Sequence, residues 1–189
     1  MKRLAVYCGA SAGNDPAYAE MARAMAAAMV EQGIELVYGG GRLGLMGVVA
    51  DAVLNGGGKV YGVIPSALID LEVGHPGLTE MHVVTTMHER KAKMTELTDA
   101  FVALPGGIGT LDELFEAWTW NALGFHAKPF ALLNVNGFWD GLDGFMDIVV
   151  AAGFLSSARR EQLLMAHSPW EAIKLLDAAI GSAAQGMVW

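Results

Sequence analysis

The chain has 189 residues, 53% of them hydrophobic, and a formal net charge of −8. This length suffices for one domain with a substantial core, and the acidic balance argues against nucleic acid as a partner, because phosphate backbones are held by clustered Lys and Arg. The single cysteine, Cys8, excludes an internal disulfide, and the sequence shows no spacing of metal ligands. No apolar run is long enough to span a membrane. We therefore expect one cytoplasmic domain over residues 1–189 that contacts no membrane.

Short apolar runs alternate with amphipathic patterns along the chain. The apolar runs predict strands at 3–8, 34–38, 59–64, 100–104 and 130–135. Helical spacing predicts helices at 16–32, 45–56, 87–98, 110–123, 139–152 and 168–180. The strand candidates are continuously apolar, as expected where helices cover both faces of a parallel sheet. The predicted fold class is therefore α/β, with a parallel sheet between two helical layers.

Glycine-rich segments follow three of the predicted strands. They span 9–13 after the first strand, 39–47 after the second and 106–109 after the fourth. Ligands of such folds bind outside the carboxyl ends of the strands, so these segments should converge on one crevice. The stretch 66–82 is expected to form a long loop over this site.

The segment from Pro105 to Glu113, PGGIGTLDE, joins a strand to a helix. Glycines at 106, 107 and 109 allow close approach of a ligand to the backbone, and we expect Thr110 to cap the helix that follows. A helix N-terminus attracts anions, so a phosphate is the natural occupant. The alternative interpretation is a glycine turn that only reverses the chain.

Two further glycine patterns indicate other chemistry less well. Gly39, Gly41 and Gly44 match GxGxxG, but the acidic residue that a dinucleotide site needs at the end of the next strand is missing. Residues 9–13 match GxSxG, yet a serine nucleophile also needs an acid and a histidine, for which His167 after Asp140, Asp143 or Asp147 would be the candidates. We interpret Ser11 as a hydroxyl donor in the crevice, with a plain turn residue as the alternative.

The segment 87–94, MHERKAKM, considered alone is typical of a solvated basic helix turn. In combination with GGGRLGLMG at 39–47, PGGIGTLDE at 105–113 and the opening VYCGASAG, it resembles the Lonely Guy family of cytokinin riboside 5′-monophosphate phosphoribohydrolases. The resemblance runs from about Leu4 to Phe154. It implies a Rossmann-like α/β fold, a homodimer, and hydrolysis of the N-glycosidic bond of an adenine-type nucleoside 5′-monophosphate to free base and ribose 5-phosphate, without a cofactor.

The same resemblance implies roles for individual residues. Arg90 and Glu113 would be catalytic. Glu72 matches a substrate-contacting glutamate of the family, although the loop around it departs from the family pattern and leaves Glu80 as the competing choice. The remaining substrate-binding positions would be Ser11, taken from the glycine pattern above, and Lys91, Gly106, Gly107, Ile108, Gly109, Thr110, Leu111, Asp112 and Thr119.

Glycosidic cleavage passes through an oxocarbenium-like transition state. A carboxylate either stabilises this transition state or activates the attacking water. Glu113 is suited to this role because it lies about one helical turn beyond the phosphate loop. Asp112 is a rival carboxylate, but adjacent helical residues point about 100° apart, so only one should face the crevice. The acid that protonates the departing base is open between Glu72, Glu80 and His88.

Two other function classes remain as alternatives. A carrier of the same fold would hold a phosphorylated ligand without cleaving it, and it would not need a carboxylate beside an arginine. A decarboxylase, a label often attached to this family, would need a Schiff-base lysine, which nothing in the sequence marks. The mean hydropathy of +0.37 suggests a subunit interface, for which Trp118, Trp120 and Phe125 are the candidates.

Overall fold

The computed structural model describes residues 1–69 and 74–185, in which most strands are followed by a helix. The exception is β3, which is followed by the short 3-10 helix Ser66–Leu68 and then by β4. The strands are β1 (Arg3–Tyr7), β2 (Glu35–Tyr38), β3 (Val60–Pro65), β4 (Glu80–Val84), β5 (Ala100–Ala103), β6 (Phe130–Leu133) and β7 (Leu163–Ala166). The helices are α1 (Pro16–Glu31), α2 (Gly44–Asn55), α3 (Met87–Leu97), α4 (Ile108–Ala122), α5 (Asp140–Ala151), α6 (Ser157–Arg160) and α7 (Pro169–Gln185).

The strands form one parallel sheet in the order β4-β3-β2-β1-β5-β6-β7. Leu4 of β1 pairs with Leu36 of β2 on one side and with Ala100 of β5 on the other. The chain therefore builds the sheet outward from β1 in one direction and then returns to build it in the other. The predicted α/β class with a Rossmann-like parallel sheet is confirmed, and β1 and β5 flank the point where the strand order reverses.

Two apolar layers hold the sheet between its helices. Along β1, Leu4 and Val6 pack with α1, α2 and α7, whereas Ala5 and Tyr7 pack with α3, α4 and α5. Successive side chains of a strand point to opposite faces, so a strand covered on both sides must be apolar throughout. This explains why the central strands are continuous hydrophobic runs.

The structure corrects three sequence expectations. Strands β4 and β7 were not predicted, and β4 begins at Glu80, inside the stretch 66–82 that was expected to be a loop. Helix α4 begins at Ile108 with Gly107 as its N-cap, so the prediction that Thr110 caps it is wrong. Thr110 lies within the helix and is buried. Within the described ranges, no helix is both long and apolar enough to cross a membrane.

Candidate active site

A cleft of about 630 Å³ opens at the carboxyl ends of β1 and β5. It lies at the strand-order reversal, where open parallel sheets bind their ligands. Most of the residues predicted from the sequence line it together. These are Ser11, Arg90, Gly106, Gly107, Ile108, Gly109, Thr110, Asp112 and Glu113.

The three glycine segments meet at the floor of this cleft, as the sequence predicted. The Gly9 N–H donates to Pro105 O at 3.1 Å, and Gly9 O accepts from the Leu45 N–H at 2.9 Å. Gly44 has a φ of +59°, and a Cβ there would lie 2.3 Å from the Ala10 carbonyl carbon. The backbones of the three segments therefore approach each other too closely for side chains between them.

The glycines of the 106–109 segment serve different purposes. A Cβ at Gly106 would lie 2.1 Å from Thr110 Oγ1 and 2.8 Å from Gly9 N, so packing requires glycine at this position. Among the described residues, none outside the local chain lies within 4 Å of where a Cβ at Gly107 or Gly109 would be. Since the fold does not need glycine at 107 and 109, their open space is available to a ligand.

The N-terminus of α4 faces this open space. Its N-cap Gly107 has no side chain to accept hydrogen bonds from the first turn. The first N–H groups of a helix have no partner within the helix, and they carry the positive end of the helix dipole. The arrangement can bind a phosphate through backbone donors.

Arg90 lies in the first turn of α3, and its side chain donates hydrogen bonds to two backbone carbonyls, one within β3 and one just after β2. The residue is only 4% exposed. Its Nε donates to Val63 O at 3.2 Å and its Nη2 donates to Gly39 O at 2.9 Å. A Cβ at Gly39 would lie 2.1 Å from Nη2, so the first glycine of the GxGxxG pattern makes room for Arg90.

Two carboxylates line the cleft, the half-buried Glu113 and the exposed Asp112, so the prediction that only one of them would face it is wrong. Burial raises the pKa of the Cys8 thiol, and the negative charge of Glu113 raises it further. Burial raises the pKa of the Tyr7 hydroxyl in the same way, with Glu113 and Glu116 adding to the effect. The charge of Glu113 is therefore felt by Tyr7 and Cys8 where β1 ends. Arg90 lines the same cleft.

Lys91 and Thr119 occupy a different place from the other predicted residues. Together with Leu111 they line a shallow depression on the outer side of α3 and α4, and Asp112 borders both hollows. Lys91 Nζ lies 3.0 Å from Asp112 Oδ2 and also contacts Glu116. Burial alone would lower the pKa of Lys91, but hydrogen bonds to the two carboxylates outweigh it and raise that pKa. The role of Lys91, Thr119 and Leu111 in substrate binding stays a prediction.

The candidates for the proton donor are not brought into the cleft where the structure describes them. Glu80 lies on the edge strand β4, and its Oε1 is 3.3 Å from His82 Nε2. His88 is exposed, with its Nδ1 at 3.5 Å from Glu116 Oε1. Glu72 lies outside the described residues. The acids proposed for a Ser11 triad also have other partners, since Asp140 accepts from Asn134 and both Asp143 and Asp147 pair with Arg160.

Sequence reasoning missed the apolar wall of the cleft. Tyr18 and Phe138 form an edge-to-face pair with centroids 5.7 Å apart at one side, and Met46 and Met87 line the wall elsewhere. Phe138 follows the carboxyl end of β6, so the rule that ligands bind beyond strand ends could have found it. Met46 belongs to the glycine segment 39–47 that was predicted to reach the crevice, whereas Tyr18 and Met87 lie in helices and carried no such signal.

Comparison with known proteins agrees with this architecture. Residues 46–176 match the family model described as possible lysine decarboxylase. The chain is 45% identical over 188 residues to cytokinin riboside 5′-monophosphate phosphoribohydrolase LOG of Oryza sativa subsp. japonica, covering 100% of this chain and 78% of that protein. It is 46% identical over 176 residues to the LOG2 enzyme of that name from Arabidopsis thaliana, covering 93% and 83%.

A solved structure shares the fold at much lower identity. The molybdenum cofactor carrier protein of Chlamydomonas reinhardtii superposes with a TM-score of 0.73 at 19% identity, over 96% of this chain and 99% of that one. At this identity the likeness concerns the fold alone.

Proposed function

This chain belongs to the Lonely Guy family of cytokinin riboside 5′-monophosphate phosphoribohydrolases, and on that premise we propose that it is a hydrolase of adenine-type nucleoside 5′-monophosphates. Water cleaves the N-glycosidic bond and the products are the free base and ribose 5-phosphate. Cytokinin riboside monophosphates and AMP are the substrates to compare. The observation that carries the proposal is one cleft that combines an anion-binding helix end, a seated guanidinium and a half-buried carboxylate.

The phosphate is proposed to bind at the 106–110 segment. The open space over Gly107 and Gly109 and the uncapped α4 N-terminus support this placement. Binding there puts the ribose near Glu113, one turn further along the helix. The remote phosphate then contributes orientation to the reacting centre, which lowers the barrier without taking part in the chemistry.

Glu113 and Arg90 are proposed to act on the glycosidic bond. As C1′ separates from the base nitrogen, the electron pair goes to the base and positive charge develops on the sugar. The Glu113 carboxylate stabilises this charge or removes a proton from the water that adds to C1′. Arg90 cannot lose its proton, and its rigid donor fork suits the ribose hydroxyls or the phosphate.

The alternative is a non-catalytic carrier of the same fold. The carrier from Chlamydomonas reinhardtii has only the fold in common at 19% identity. Placement of Arg90 and Glu113 around one cleft favours hydrolysis, because holding a ligand does not require this pair. A decarboxylase that uses a Schiff-base lysine is disfavoured, since no lysine among residues 1–69 and 74–185 lines the cleft.

We also propose a homodimer in the cytoplasm. The face formed by α4, α5 and the turns that follow them exposes several large apolar side chains, among them Phe154 at 87%, Ile108 at 85% and Phe125 at 74%. Large exposed apolar side chains on one side of a fold are candidates for an interface. Trp118 is buried between Phe115 and Phe130 but lines a surface hollow with Phe154, so its part in the interface stays a prediction.

The test is incubation of the purified protein with AMP and with its N6-isopentenyl analogue, following free base and ribose 5-phosphate by chromatography. We expect release of base from at least one nucleotide. Glu113→Gln should lower kcat by about 100-fold or more, the usual scale for loss of a catalytic acid or base, while nucleotide binding is retained. Arg90→Ala should lower kcat/KM by a similar factor.

Asp112→Asn is the comparison for Glu113→Gln: Asp112 is predicted to bind the substrate, so its loss should raise KM more than it lowers kcat, whereas Glu113→Gln should act on kcat. Asp112→Asn removes the neighbouring carboxylate, which pairs with Lys91 at the rim. Turnover by Glu113→Gln at the rate of the wild type would refute the assignment of Glu113. Binding of both nucleotides without release of base by the wild type would support the carrier instead.

A further inference from the structure

A buried histidine outside the cleft joins three separate parts of the chain. The His75 side chain is 5% exposed. Its Nε2 lies 2.9 Å from Asp51 Oδ1 on α2, and its Nδ1 accepts from the Gly77 N–H at 3.2 Å. Because Nδ1 acts as an acceptor, the ring proton is on Nε2, which donates to Asp51. Both ring nitrogens are thereby used, and the turn 74–77 is fixed to α2.

The same turn holds the segment on which Arg90 is seated. The backbone N–H of His75 donates to Gly40 O at 3.0 Å, and Gly74 forms an antiparallel bridge with Gly41. Gly40 directly follows Gly39, whose carbonyl accepts from Arg90 Nη2 at 2.9 Å. One peptide unit therefore separates the acceptor of Arg90 from the acceptor of His75.

The glycine segment needs such support from outside. Residues 39–41 are three consecutive glycines, and glycine has more backbone freedom than any other residue. Nothing intrinsic to this segment fixes the direction of the Gly39 carbonyl. A second backbone acceptor of Arg90, Val63 O, belongs to β3 and is held by the sheet. Of these two acceptors, Gly39 O is thus the one whose position depends on neighbouring contacts.

We propose that His75 and Asp51 are positioning residues for Arg90. Their hydrogen bond anchors the turn 74–77 to α2, the turn holds the Gly39–Gly41 backbone, and this backbone orients the guanidinium in the cleft. The inference rests on the proposed function for its kinetic consequences only, because the orientation of Arg90 is measurable without turnover.

We call the His75–Asp51 hydrogen bond, together with the turn 74–77 that it fixes to α2, the clasp. The kinetic test compares substitutions that keep different parts of the clasp. His75→Ala should lower kcat/KM for the N6-isopentenyl nucleotide by about 10- to 100-fold, the cost of a small misplacement of a catalytic group. His75→Gln should recover much of the loss, because its amide reaches Asp51 and donates as Nε2 does. His75→Asn, which is too short to reach Asp51, should remain impaired.

His82→Ala is the matched control. His82 also contacts a carboxylate, that of Glu80 at 3.3 Å, and it lies on the edge strand β4. The β4 side chain that approaches Gly40 is that of the neighbouring Met81, and successive side chains of a strand point to opposite faces. Removal of the His82 side chain leaves the backbone ladder of β4 intact, so kcat/KM should stay within about twofold of the wild type. Should His75→Ala fail to fold, Asp51→Ala at an exposed helix position tests the same bond.

The structural test follows hydrogen exchange of the Arg90 Nε–H by NMR, with the signal identified by its loss in Arg90→Lys. This N–H is buried and bonded to Val63 O, so it should exchange slowly in the wild type and in His82→Ala. His75→Ala should accelerate its exchange roughly tenfold or more, as expected when a local opening becomes easier. This readout is independent of whether the protein cleaves nucleotides.

Two results would overturn the proposal. One is a His75→Ala protein with lower thermal stability but unchanged Arg90 exchange and unchanged kcat/KM, which would make His75 a structural residue only. The other is equal recovery of kcat/KM by His75→Gln and His75→Asn, which would show that the bond to Asp51 does not matter. Absence of turnover in the wild type, with faster Arg90 exchange in His75→Ala, would refute the hydrolase and retain the clasp.

Discussion

At the scale of single residues, the glycines of the 106–109 segment are of two kinds. Packing requires glycine at one position, whereas the others have open space where a Cβ would be. Gly106 has Thr110 Oγ1 and Gly9 N within 2.8 Å of the position of a Cβ, whereas no described residue outside the local chain lies within 4 Å of that position at Gly109. The two positions look alike in the sequence PGGIGT. Their substitution by alanine should therefore have opposite consequences.

Gly109→Ala should leave the free energy of unfolding unchanged or raise it by up to about 1 kcal/mol, because alanine is the better helix former. Its methyl group should displace the phosphate and raise KM about tenfold, equivalent to about 1.4 kcal/mol of binding. Gly106→Ala should instead destabilise the fold by about 1–3 kcal/mol through overpacking. Urea unfolding and steady-state kinetics of both variants check this, and equal loss of stability in the two would contradict it.

The sequence revealed the candidate residues of the cleft better than it revealed what holds them. Arg90 and Glu113 were found from their motifs, and the glycines from their position after strands. The seat of Arg90 was not predictable, because its acceptors Gly39 and Val63 are separated from it by 51 and 27 residues. Contacts over such distances arise from the order of the strands, which the apolar pattern does not specify.

At the scale of elements, the strands predicted from the sequence were those buried on both faces. β4 reads EMHVV with exposed or half-buried residues throughout, and β7 is a four-residue edge strand. Continuous apolar runs indicate strands covered on both sides and therefore miss the edges of a sheet. The interior of the sheet was predictable for the same physical reason that its edges were not.

The connection between α4 and β6 should make stability depend on pH. The His126 ring packs against Phe101 at a tilt of 43°, with centroids 5.5 Å apart, and its Nδ1 accepts from the Lys128 N–H at 3.1 Å. Burial lowers the pKa of His126, and the charge of Lys128 lowers it further. The unfolded chain therefore binds this proton more readily than the folded one. The stabilisation is present above the ordinary histidine pKa of about 6.5 and is lost as the pH falls below it.

His126→Asn tests this dependence, since its side-chain oxygen can still accept from Lys128. Chemical unfolding of the wild type and the variant should show a difference in free energy that is constant above pH 7 and changes between pH 6.5 and pH 5, to the disadvantage of the wild type. His167→Asn, at an exposed position, is the control. A difference that stays the same from pH 8 to pH 5 would refute the role of His126.

At the scale of the whole molecule, the two helical layers differ in how much apolar surface they leave exposed. Phe145, Ile148 and Phe154 are exposed on the side of α5, while Trp170 on α7 is a large exposed apolar residue of the opposite layer. The net charge of −8 disfavours nucleic acid on either side. The α4 and α5 side is therefore where we expect a second copy of the chain to bind.

Ile148→Asp should convert the proposed dimer to a monomer, because a buried and unpaired carboxylate at an interface costs several kcal/mol. Light scattering after size exclusion should give twice the 20.0 kDa chain mass for the wild type and the single mass for the variant. Trp170→Asp, on the opposite layer, should leave the mass doubled. A wild type of single mass at micromolar concentration would refute the dimer.

The central position of β1 has a consequence for how the protein is made. β1 is synthesised first and pairs with β2, but its other neighbour, β5, follows almost a hundred residues later. The half sheet from β1 to β4 can form on the ribosome before β5 emerges, since domains fold as their parts become available. The cleft lies where β1 of this half pairs with β5 of the other half, and we call this junction the seam. A nucleotide can therefore bind only after the seam has closed, and its binding would draw newly made chains toward the completed fold.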